Sequence, residues 1–400
     1  MGYEFSIDDV DFLRSLRGEK ALRAVAEFAL TPDSLLKEMP RLRAEYGDYA
    51  AALVDTVRTR RKAAGKLLGA DHLLASDVAL QQATASPVAA HRAADIAARR
   101  PGAVVHDVTC SIGSELMALT ATPAIAGVIG SDIDPVRLAM ADHNLRRSGS
   151  RAPWLLARAD ALAPASTADV VIADPARRNA RGRTFKLDEL DPPLLDLMAA
   201  YAGRELVVKC APGLDYRLLR DRFGFGGQVQ VVSLDGGVRE ACLWADVTRP
   251  SQRATVLNSD GSGYEVTSYD PDDIDDPSIG EWIVDPDGAV VRAGLVRHYA
   301  HRHGLRQLDP QIAYLTGPVV PAGERGFRVI DRLGVSEKVL RSALAAHDCG
   351  SLEILVRGLD VDPDRLRKRL KLSGSKPLAL IMTRIGRSGT AFLCEPGVRG

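Results

Sequence analysis

Short apolar runs alternate with helical segments between residues 103 and 208, and this alternation restricts the fold more than any other feature. The apolar runs are residues 104–105, 127–129, 154–157, 170–173 and 206–208. Such alternation is typical of βαβ units in a parallel, doubly wound sheet. Two further strand-like runs, 229–234 and 241–247, are joined by a loop containing Gly236 and Gly237, which predicts a terminal antiparallel hairpin.

The two ends of the chain follow other patterns. Apolar residues recur at three- and four-residue spacings before residue 80, so residues 1–80 are predicted to form a helical region. We expect an α/β fold, with a Rossmann-like doubly wound sheet over residues 81–248 and a separate α+β domain over residues 249–400. The acidic segment 259–288 is rich in Pro and Gly, and we interpret it as a linker or a surface loop.

Composition and cysteine spacing exclude several classes of protein. With 46% apolar and 26% charged residues among 400, the chain resembles a soluble globular protein with more than one core. Acids stand at the N-terminus where a signal peptide carries basic residues, so we expect a cytoplasmic protein with no membrane partner. The five cysteines are scattered singly, which predicts neither a disulfide framework nor a metal site. The oligomeric state is not encoded in any pattern that we recognise.

The zero formal net charge conceals an uneven distribution. Residues 259–289 include ten acids and no Lys or Arg, whereas residues 291–400 include nineteen Lys plus Arg against ten acids. A basic region of this kind is either a solvated face or a phosphate-binding surface, and charge alone does not separate the two. The basic run 58–66 is interpreted as a solvated helix face.

A loop of small residues follows the first apolar run in VVHDVTCSIGSE. Asp107 ends that run, and Thr109, Ser111 and Gly113 stand where a nucleotide-binding loop carries glycines. The loop must be small there because its backbone passes against the ligand. An ordinary tight turn between strand and helix is the alternative.

Acids also end the next three apolar runs. Asp132 lies nineteen residues beyond Gly113, where a carboxylate can accept both ribose hydroxyls of a nucleoside. Asp160 and Asp174 follow the third and fourth runs. Buried carboxylates are costly unless they are paired, so four such acids indicate convergence on one ligand.

As a set, these features resemble the class I S-adenosylmethionine-dependent methyltransferases over roughly residues 80–248. The segments DPARR and QQATASPVAAHRAA, together with the basic C-terminal domain, look more narrowly like methyltransferases with a THUMP-like, RNA-associated domain. The resemblance implies S-adenosylmethionine as cofactor and RNA, either tRNA or rRNA, as partner.

The resemblance also implies roles for individual residues. The methionine end of the cofactor would contact Asp107, Thr109, Cys110, Ser111 and Gly113. Asp132 would bind the ribose, Ile133 one face of the adenine, and Asp160 the adenine amino group. Two simpler interpretations stay open: Ile133 could belong to the core, and Asp160 could cap the following turn.

In methyltransferases that act on amino groups, an acid followed by proline lies beside the transferred methyl. Asp174 and Pro175 match that pattern, and Arg177 and Arg178 stand where they could position the phosphates of a polynucleotide. A solvated loop is the alternative for the arginines. Cys210 in VVKCAPG offers a rival route, because a thiolate there could add to a pyrimidine ring.

Three functions remain compatible with the sequence. The first is methyl transfer to an RNA base, with an amino group as the favoured acceptor. The second is a small-molecule methyltransferase whose basic tail has another role. The third is a nucleoside-binding protein that has lost catalysis, which the scarcity of glycines in the loop would allow.

Overall fold

The structure is a computed structural model that describes residues 2–177, 190–213, 216–245, 250–274 and 278–400. The chain forms two compact units. The first contains Met1–Gln228 and Glu240–Pro250, and the second contains Val229–Arg239 and Ser251–Gly400. The three-domain division predicted from the sequence stays a proposal.

Helices occupy most of the chain before residue 100 and alternate with strands after it. The helices of the first unit are α1 (Ile7–Leu13), α2 (Leu16–Ala26), α3 (Pro32–Tyr46), α4 (Ala50–Ala63), α5 (Asp77–Gln82), α6 (Ser86–Arg99), α7 (Ser114–Ala121), α8 (Pro135–Arg147), α9 (Leu194–Ala200) and α10 (Tyr216–Phe223). Its strands before the hairpin are β1 (Ala103–Asp107), β2 (Ile125–Asp132), β3 (Trp154–Arg158), β4 (Val170–Ala173), β5 (Ala176–Arg177), β6 (Leu190–Asp191) and β7 (Glu205–Cys210). The strands β8 (Gln228–Leu234) and β9 (Gly237–Trp244) form the predicted hairpin.

The sheet of the first unit confirms the doubly wound prediction. Neighbouring strands follow the order β3-β2-β1-β4-β7, and each of these pairs is parallel. The strand β9 runs antiparallel to β7, with Lys209 opposite Cys242. Because the parallel strands all end at one edge, the acids that follow them are brought toward the same side of the sheet.

The N-terminal helices pack against the part of the first unit that carries the small-residue loop. Their core includes Leu13, Leu42 and Leu53, and it extends to Ile112 in the loop and Met140 in α8. The helix α3 begins after Thr31, whose side chain accepts a hydrogen bond from the Ser34 backbone. The N-terminal helices therefore pack against the small-residue loop through Ile112.

The basic run 58–66 forms the expected solvated face only in part, because Arg61 and Lys62 are exposed but two of its arginines also bind backbone carbonyl groups. The Arg61 guanidinium donates to the carbonyl oxygens of Ala26, Phe28 and Ala29 near the end of α2. The Arg60 Nε donates to the Leu73 carbonyl at 2.9 Å. Carbonyl groups at and just beyond a helix end lack helical partners, and Arg61 satisfies those at the end of α2.

The second unit is an α+β structure. Its helices are α11 (Gly288–Arg292), α12 (Val296–Arg302), α13 (Glu337–Ala346) and α14 (Pro363–Leu370). Its further strands are β10 (Ser251–Leu257), β11 (Gly263–Thr267), β12 (Trp282–Asp285), β13 (Arg306–Asp309), β14 (Ile312–Gly317), β15 (Arg325–Gly334), β16 (Cys349–Arg357), β17 (Lys376–Ile385), β18 (Ser388–Cys394) and β19 (Val398–Arg399). One sheet has the order β13-β14-β12-β15-β18-β17-β16, and the apolar faces of α13 and α14 pack in the same core as β16, β17 and β18.

The prediction of a linker or surface loop over residues 259–288 is wrong. The strand β11 pairs antiparallel with β10, and β12 lies between β14 and β15. The apolar residues Val266, Ile283 and Val284 are fully buried there. The many acids of this segment obscured two short strands in the sequence, because a strand needs apolar residues only at alternate positions.

Two negative findings apply only to the residues that the structure describes. No helix among them is both long and apolar enough to cross a membrane. All five cysteines lie in this part of the chain, where they are buried and unpaired.

Candidate active site

The small-residue loop between β1 and α7 is shaped by its own backbone hydrogen bonds. The Thr109 amide donates to Asp107 Oδ1 at 3.0 Å, and the Val108 amide donates to the Ile172 carbonyl at 2.9 Å. Gly113 has a φ of 80°, and a Cβ there would lie 3.3 Å from the Ala141 Cβ. Glycine is favoured at that position because its backbone is left-handed and a Cβ would be in tight contact with Ala141.

Asp132 joins the loop to the end of β2. The Ser111 amide donates to its Oδ2 at 3.0 Å, and the Asp134 amide donates to its Oδ1 at 2.9 Å. A carboxylate has about four acceptor positions, so each oxygen can still accept a hydroxyl group. The side chain therefore has the capacity that ribose recognition needs.

Two further observations fit S-adenosylmethionine, the cofactor implied by the resemblance. The buried Ser111 Oγ has no hydrogen-bond partner in the described part of the chain. The helix α7 begins without a side-chain cap, which leaves amide groups available to a carboxylate such as that of a bound amino acid. The residues present therefore fit a nucleoside that carries an amino-acid tail.

Asp107 is buried at the end of β1 with 4% of its surface exposed. Burial raises the pKa of Asp107 to about 7, and the nearby acid Glu115 adds to this effect. Lys209 acts in the opposite direction and lowers the pKa of Asp107. The carboxyl group is thus poised to change charge near neutral pH.

The structure excludes the simpler interpretation made for Ile133 and supports the one made for Asp160. Ile133 is 67% exposed, which excludes the core interpretation and leaves an apolar face open beside Asp132. Asp160 does cap its own turn, because its Oδ1 accepts a hydrogen bond of 2.8 Å from the Leu162 amide. Its exposed side chain is not bonded to Asp107 or Asp132 in the described residues, so its contact with adenine stays a prediction.

Asp174 meets the same loop from the end of β4. Its amide donates to the Thr109 Oγ1 at 2.6 Å, and its Oδ2 accepts a 2.5 Å hydrogen bond from the Lys209 ammonium. Pro175 is buried directly after it. The structure therefore brings Asp107, Asp132 and Asp174 together around one loop.

The predicted substrate arginines are largely outside the described residues. Arg178 lies there entirely, and only the backbone of Arg177 is described, in β5 paired with β6. Their role stays a prediction.

A buried cluster of charges lies beneath Asp174, and sequence reasoning missed it. We call Arg92, Glu115, Lys209 and Glu240, together with Asp174, the strand-end cluster. Arg92 forms an ion pair with Glu115 at 2.9 Å and a second pair with Glu240, while Lys209 lies 3.8 Å from Glu115. The available signal was Lys209 in the apolar run VVKC, since an unpaired lysine is rarely buried in a strand.

Neighbouring opposite charges favour the ionised forms of Lys209 and Glu240 in the cluster. Burial by itself would lower the pKa of Lys209, but Asp174 and Glu115 raise it above its usual value, so the side chain is an ammonium. Burial would also raise the pKa of Glu240, but Arg92 and Lys209 hold it below its usual value. Buried charges of opposite sign thus stabilise one another.

Asn144 is another residue that sequence reasoning missed. Its Nδ2 donates to the carbonyl oxygens of Leu74 and Ile112, each at 2.9 Å, and its Oδ1 accepts from the Leu74 amide at 2.8 Å. This buried side chain ties the segment after α4 to the small-residue loop. No local pattern identifies such a contact.

The strand order and the acids around one loop define a class: doubly wound α/β proteins that bind a nucleoside at the carboxyl ends of parallel strands. Comparison with known proteins refines it. Two S-adenosylmethionine-dependent methyltransferases of Mycobacterium tuberculosis, from strains CDC 1551 / Oshkosh and H37Rv and both described as uncharacterized, are 52% identical over 368 residues, which span 89% of this chain and 99% of each relative. The chain belongs to the S-adenosylmethionine-dependent methyltransferases, and its cofactor is S-adenosylmethionine.

Two family models match parts of the chain. The THUMP domain-like model matches residues 324–396, and a model for a domain of unknown function matches residues 6–63. A crystal structure of a provisionally assigned methyltransferase from Porphyromonas gingivalis W83 has a TM-score of 0.74 at 19% identity, covering 98% of this chain and 99% of that one. That similarity confirms the fold over both units, and the THUMP-like prediction for the C-terminal region is also confirmed.

Proposed function

We propose that this methyltransferase modifies RNA, with tRNA or rRNA as the substrate class and a base amino group as the acceptor. The observation that carries the proposal is the THUMP domain-like match at residues 324–396, because the resemblance associates such domains with RNA. This region contains α13 and α14, on which Lys338 and Lys368 are exposed. Lys371 is exposed directly after α14. Exposed cations are the groups that contact nucleic-acid phosphates.

In the proposed site, the small-residue loop and the acids around it hold the cofactor. When bound, S-adenosylmethionine supplies an activated methyl group. Asp107 and the backbone of residues 109–113 bind its amino-acid end, and Asp132 binds its ribose. Ile133 covers one face of the adenine, and Asp160 accepts from its amino group. The geometry described above supports the roles of the loop and Asp132, whereas the adenine contacts of Ile133 and Asp160 rest on the resemblance.

Asp174 orients the acceptor. Its Oδ2 is engaged by Lys209, and its Oδ1 has no hydrogen bond in the described residues. A carboxylate oxygen that accepts from an amino group directs the nitrogen lone pair toward the methyl group. The buried Pro175 stiffens the backbone behind this carboxylate. Arg177 and Arg178 then position the phosphates of the RNA.

The chemistry of Cys210 favours this direct transfer over the covalent route. Burial raises the pKa of the Cys210 thiol well above its usual range, and Asp174 and Glu240 raise it further. The nucleophile in a covalent route is the thiolate, which is scarce under these conditions. Cys210 is therefore assigned to packing.

Labelled S-adenosylmethionine tests the substrate class. The full chain is incubated with total RNA from cells that lack its gene, or with a metabolite extract from the same cells. We expect label in RNA and, after digestion, in a nucleoside methylated on an exocyclic nitrogen. Label confined to the metabolite extract would instead establish a small-molecule methyltransferase. Label on pyrimidine carbon 5 that is lost in Cys210→Ala would restore the cysteine route.

Salt dependence tests the contribution of the second unit. The double variant Lys368→Glu/Lys371→Glu should reduce the slope of log affinity for RNA against log salt by about one to two units. The matched control is Lys20→Glu/Lys37→Glu, which changes the charge equally on exposed N-terminal helices. Equal slopes for the two variants would show that only net charge matters.

A further inference from the structure

Of the two buried cations in the strand-end cluster, Lys209 is the one that contacts Asp174, the acid proposed to bind the acceptor. In the β4–β7 ladder Ala173 lies opposite Val208, so the next residues along the two strands are Asp174 and Lys209. The side chain of Lys209 is 8% exposed, whereas that of Asp174 is 36% exposed. The Lys209–Asp174 pair therefore extends from the interior of the first unit to the carboxyl ends of its parallel strands, where Asp174 is partly exposed.

The contacts of Lys209 fix its direction. Its Nζ lies 2.5 Å from Asp174 Oδ2 and 3.8 Å from Glu115 Oε2, and Glu115 is held in turn by Arg92 at 2.9 Å. Glu115 and Arg92 are both almost fully buried. A lysine on the surface has a mobile ammonium, but one enclosed by a second ion pair has few positions available.

This arrangement has a consequence for Asp174. A carboxylate on a short side chain can rotate and exchange its two oxygens, and each orientation presents a different acceptor. With Oδ2 engaged by the ammonium, rotation would break a charge-assisted hydrogen bond. Only Oδ1 is then left for another donor.

We propose that Lys209 is a positioning residue for methyl transfer, which holds the Asp174 carboxylate in one orientation through Oδ2 and leaves Oδ1 to the acceptor. The inference rests on the proposed role of Asp174. Lys209 itself does not touch the cofactor or the acceptor. The Glu115 carboxylate, which is itself paired with Arg92, provides a second negative charge near the ammonium.

The test is a double-mutant cycle on turnover. With S-adenosylmethionine at saturation, Lys209→Met should lower kcat about 100-fold, the order of loss expected from a small misplacement of a reacting group, while KM for the acceptor changes less than about threefold. In the background of Asp174→Asn, Lys209→Met should cause no further loss. A merely structural lysine would reduce kcat in both backgrounds.

Controls separate this effect from damage to the fold. Lys62→Met breaks another Lys–Asp pair of 2.5 Å in the same unit, between Lys62 and Asp77, and should leave kcat unchanged. If Lys209→Met does not fold, Lys209→Met/Glu115→Gln removes one charge of each sign and should show the same loss of kcat. Calorimetric titration with S-adenosylmethionine reports the folding of each variant.

The outcomes distinguish the two proposals. The cycle is measured with whichever fraction, RNA or metabolite extract, accepts label, so a wild type that labels no RNA overturns only the RNA assignment. Wild-type turnover in Asp174→Asn overturns the role of Asp174 and the inference with it. Loss of turnover in Asp174→Asn but not in Lys209→Met overturns the inference alone.

Discussion

The strand-end cluster of the first unit and the α14 helix of the second both place arginines beside acids, yet their surroundings differ. The Arg92 side chain is 2% exposed between Glu115 and Glu240. The Arg365 side chain on α14 is 84% exposed beside Asp362. Water screens the exposed Arg365–Asp362 pair, so this pair contributes little net stability. Arg92 and its two acids are buried, so no water molecule can replace a partner that is lost.

The comparison also shows which basic residues of α14 are available. Arg365, Arg367 and Arg369 each form an ion pair with an acid of their own unit: Asp362, Asp364 and Glu337 respectively. Lys368 and Lys371 form no ion pair within 4.0 Å in the described part of the chain. A basic segment thus contributes fewer free charges than its composition suggests, which is why the salt-dependence test uses the two lysines.

The largest difference between the two regions should appear in stability. Arg92→Met leaves Glu115 and Glu240 without their shared cation, so the free energy of unfolding of the first unit should fall by about 3–5 kcal/mol. Denaturant unfolding measures it. The control Arg92→Met/Glu240→Gln removes one charge of each sign and should recover part of the loss. A loss below about 1 kcal/mol for Arg92→Met would mean that the buried cluster behaves like a surface pair.

The buried acid Asp107 should also make the stability of the first unit depend on pH. The pKa of Asp107 rises from 3.8 to about 7 on folding, so the folded state binds the proton more tightly. Its contribution to stability is therefore fully present below about pH 4 and is lost as pH rises to about 7. In cofactor-free protein, the free energy of unfolding should fall across this window by a few kcal/mol more than in Asp107→Asn. Parallel pH profiles would contradict the burial argument.

The third prediction concerns ligand binding rather than folding. Asp132→Ala removes the carboxylate that connects the loop to β2 and that is proposed to bind the ribose. We expect the affinity for S-adenosylmethionine to fall at least about tenfold, which corresponds to about 1.4 kcal/mol. Titration calorimetry measures it, with the exposed Asp71→Ala as control. Unchanged affinity in a folded Asp132→Ala protein would remove Asp132 from the site.

The smallest effect is expected on α14. Arg369→Met breaks the exposed pair with Glu337, and the free energy of unfolding should change by less than about 1 kcal/mol. The same denaturant experiment as for Arg92→Met gives a direct comparison of the two arginines. A loss of several kcal/mol here would show that exposure does not explain the contrast.

Much of the fold was predictable because it depends on local patterns. The strands Trp154–Arg158, Val170–Ala173 and Gln228–Leu234 lie at the predicted apolar runs 154–157, 170–173 and 229–234. The segment 259–288 was misjudged because its acids outnumber the few apolar residues that form β11 and β12. In the candidate site, the acids at the strand ends were predictable, but the partners of Asp174 were not.

The sequence by itself determined the class of the first unit, because hydrophobic periodicity and the acids at strand ends are properties of neighbouring residues. Only the tertiary structure decided the pairing of those acids. Lys209 lies 35 residues from Asp174, and Arg92 lies 148 residues from Glu240. The first pair exists because β7 lies beside β4, and the second because α6 and β9 pack in the same core. A buried ion pair depends on position in space, which no local pattern of residues specifies.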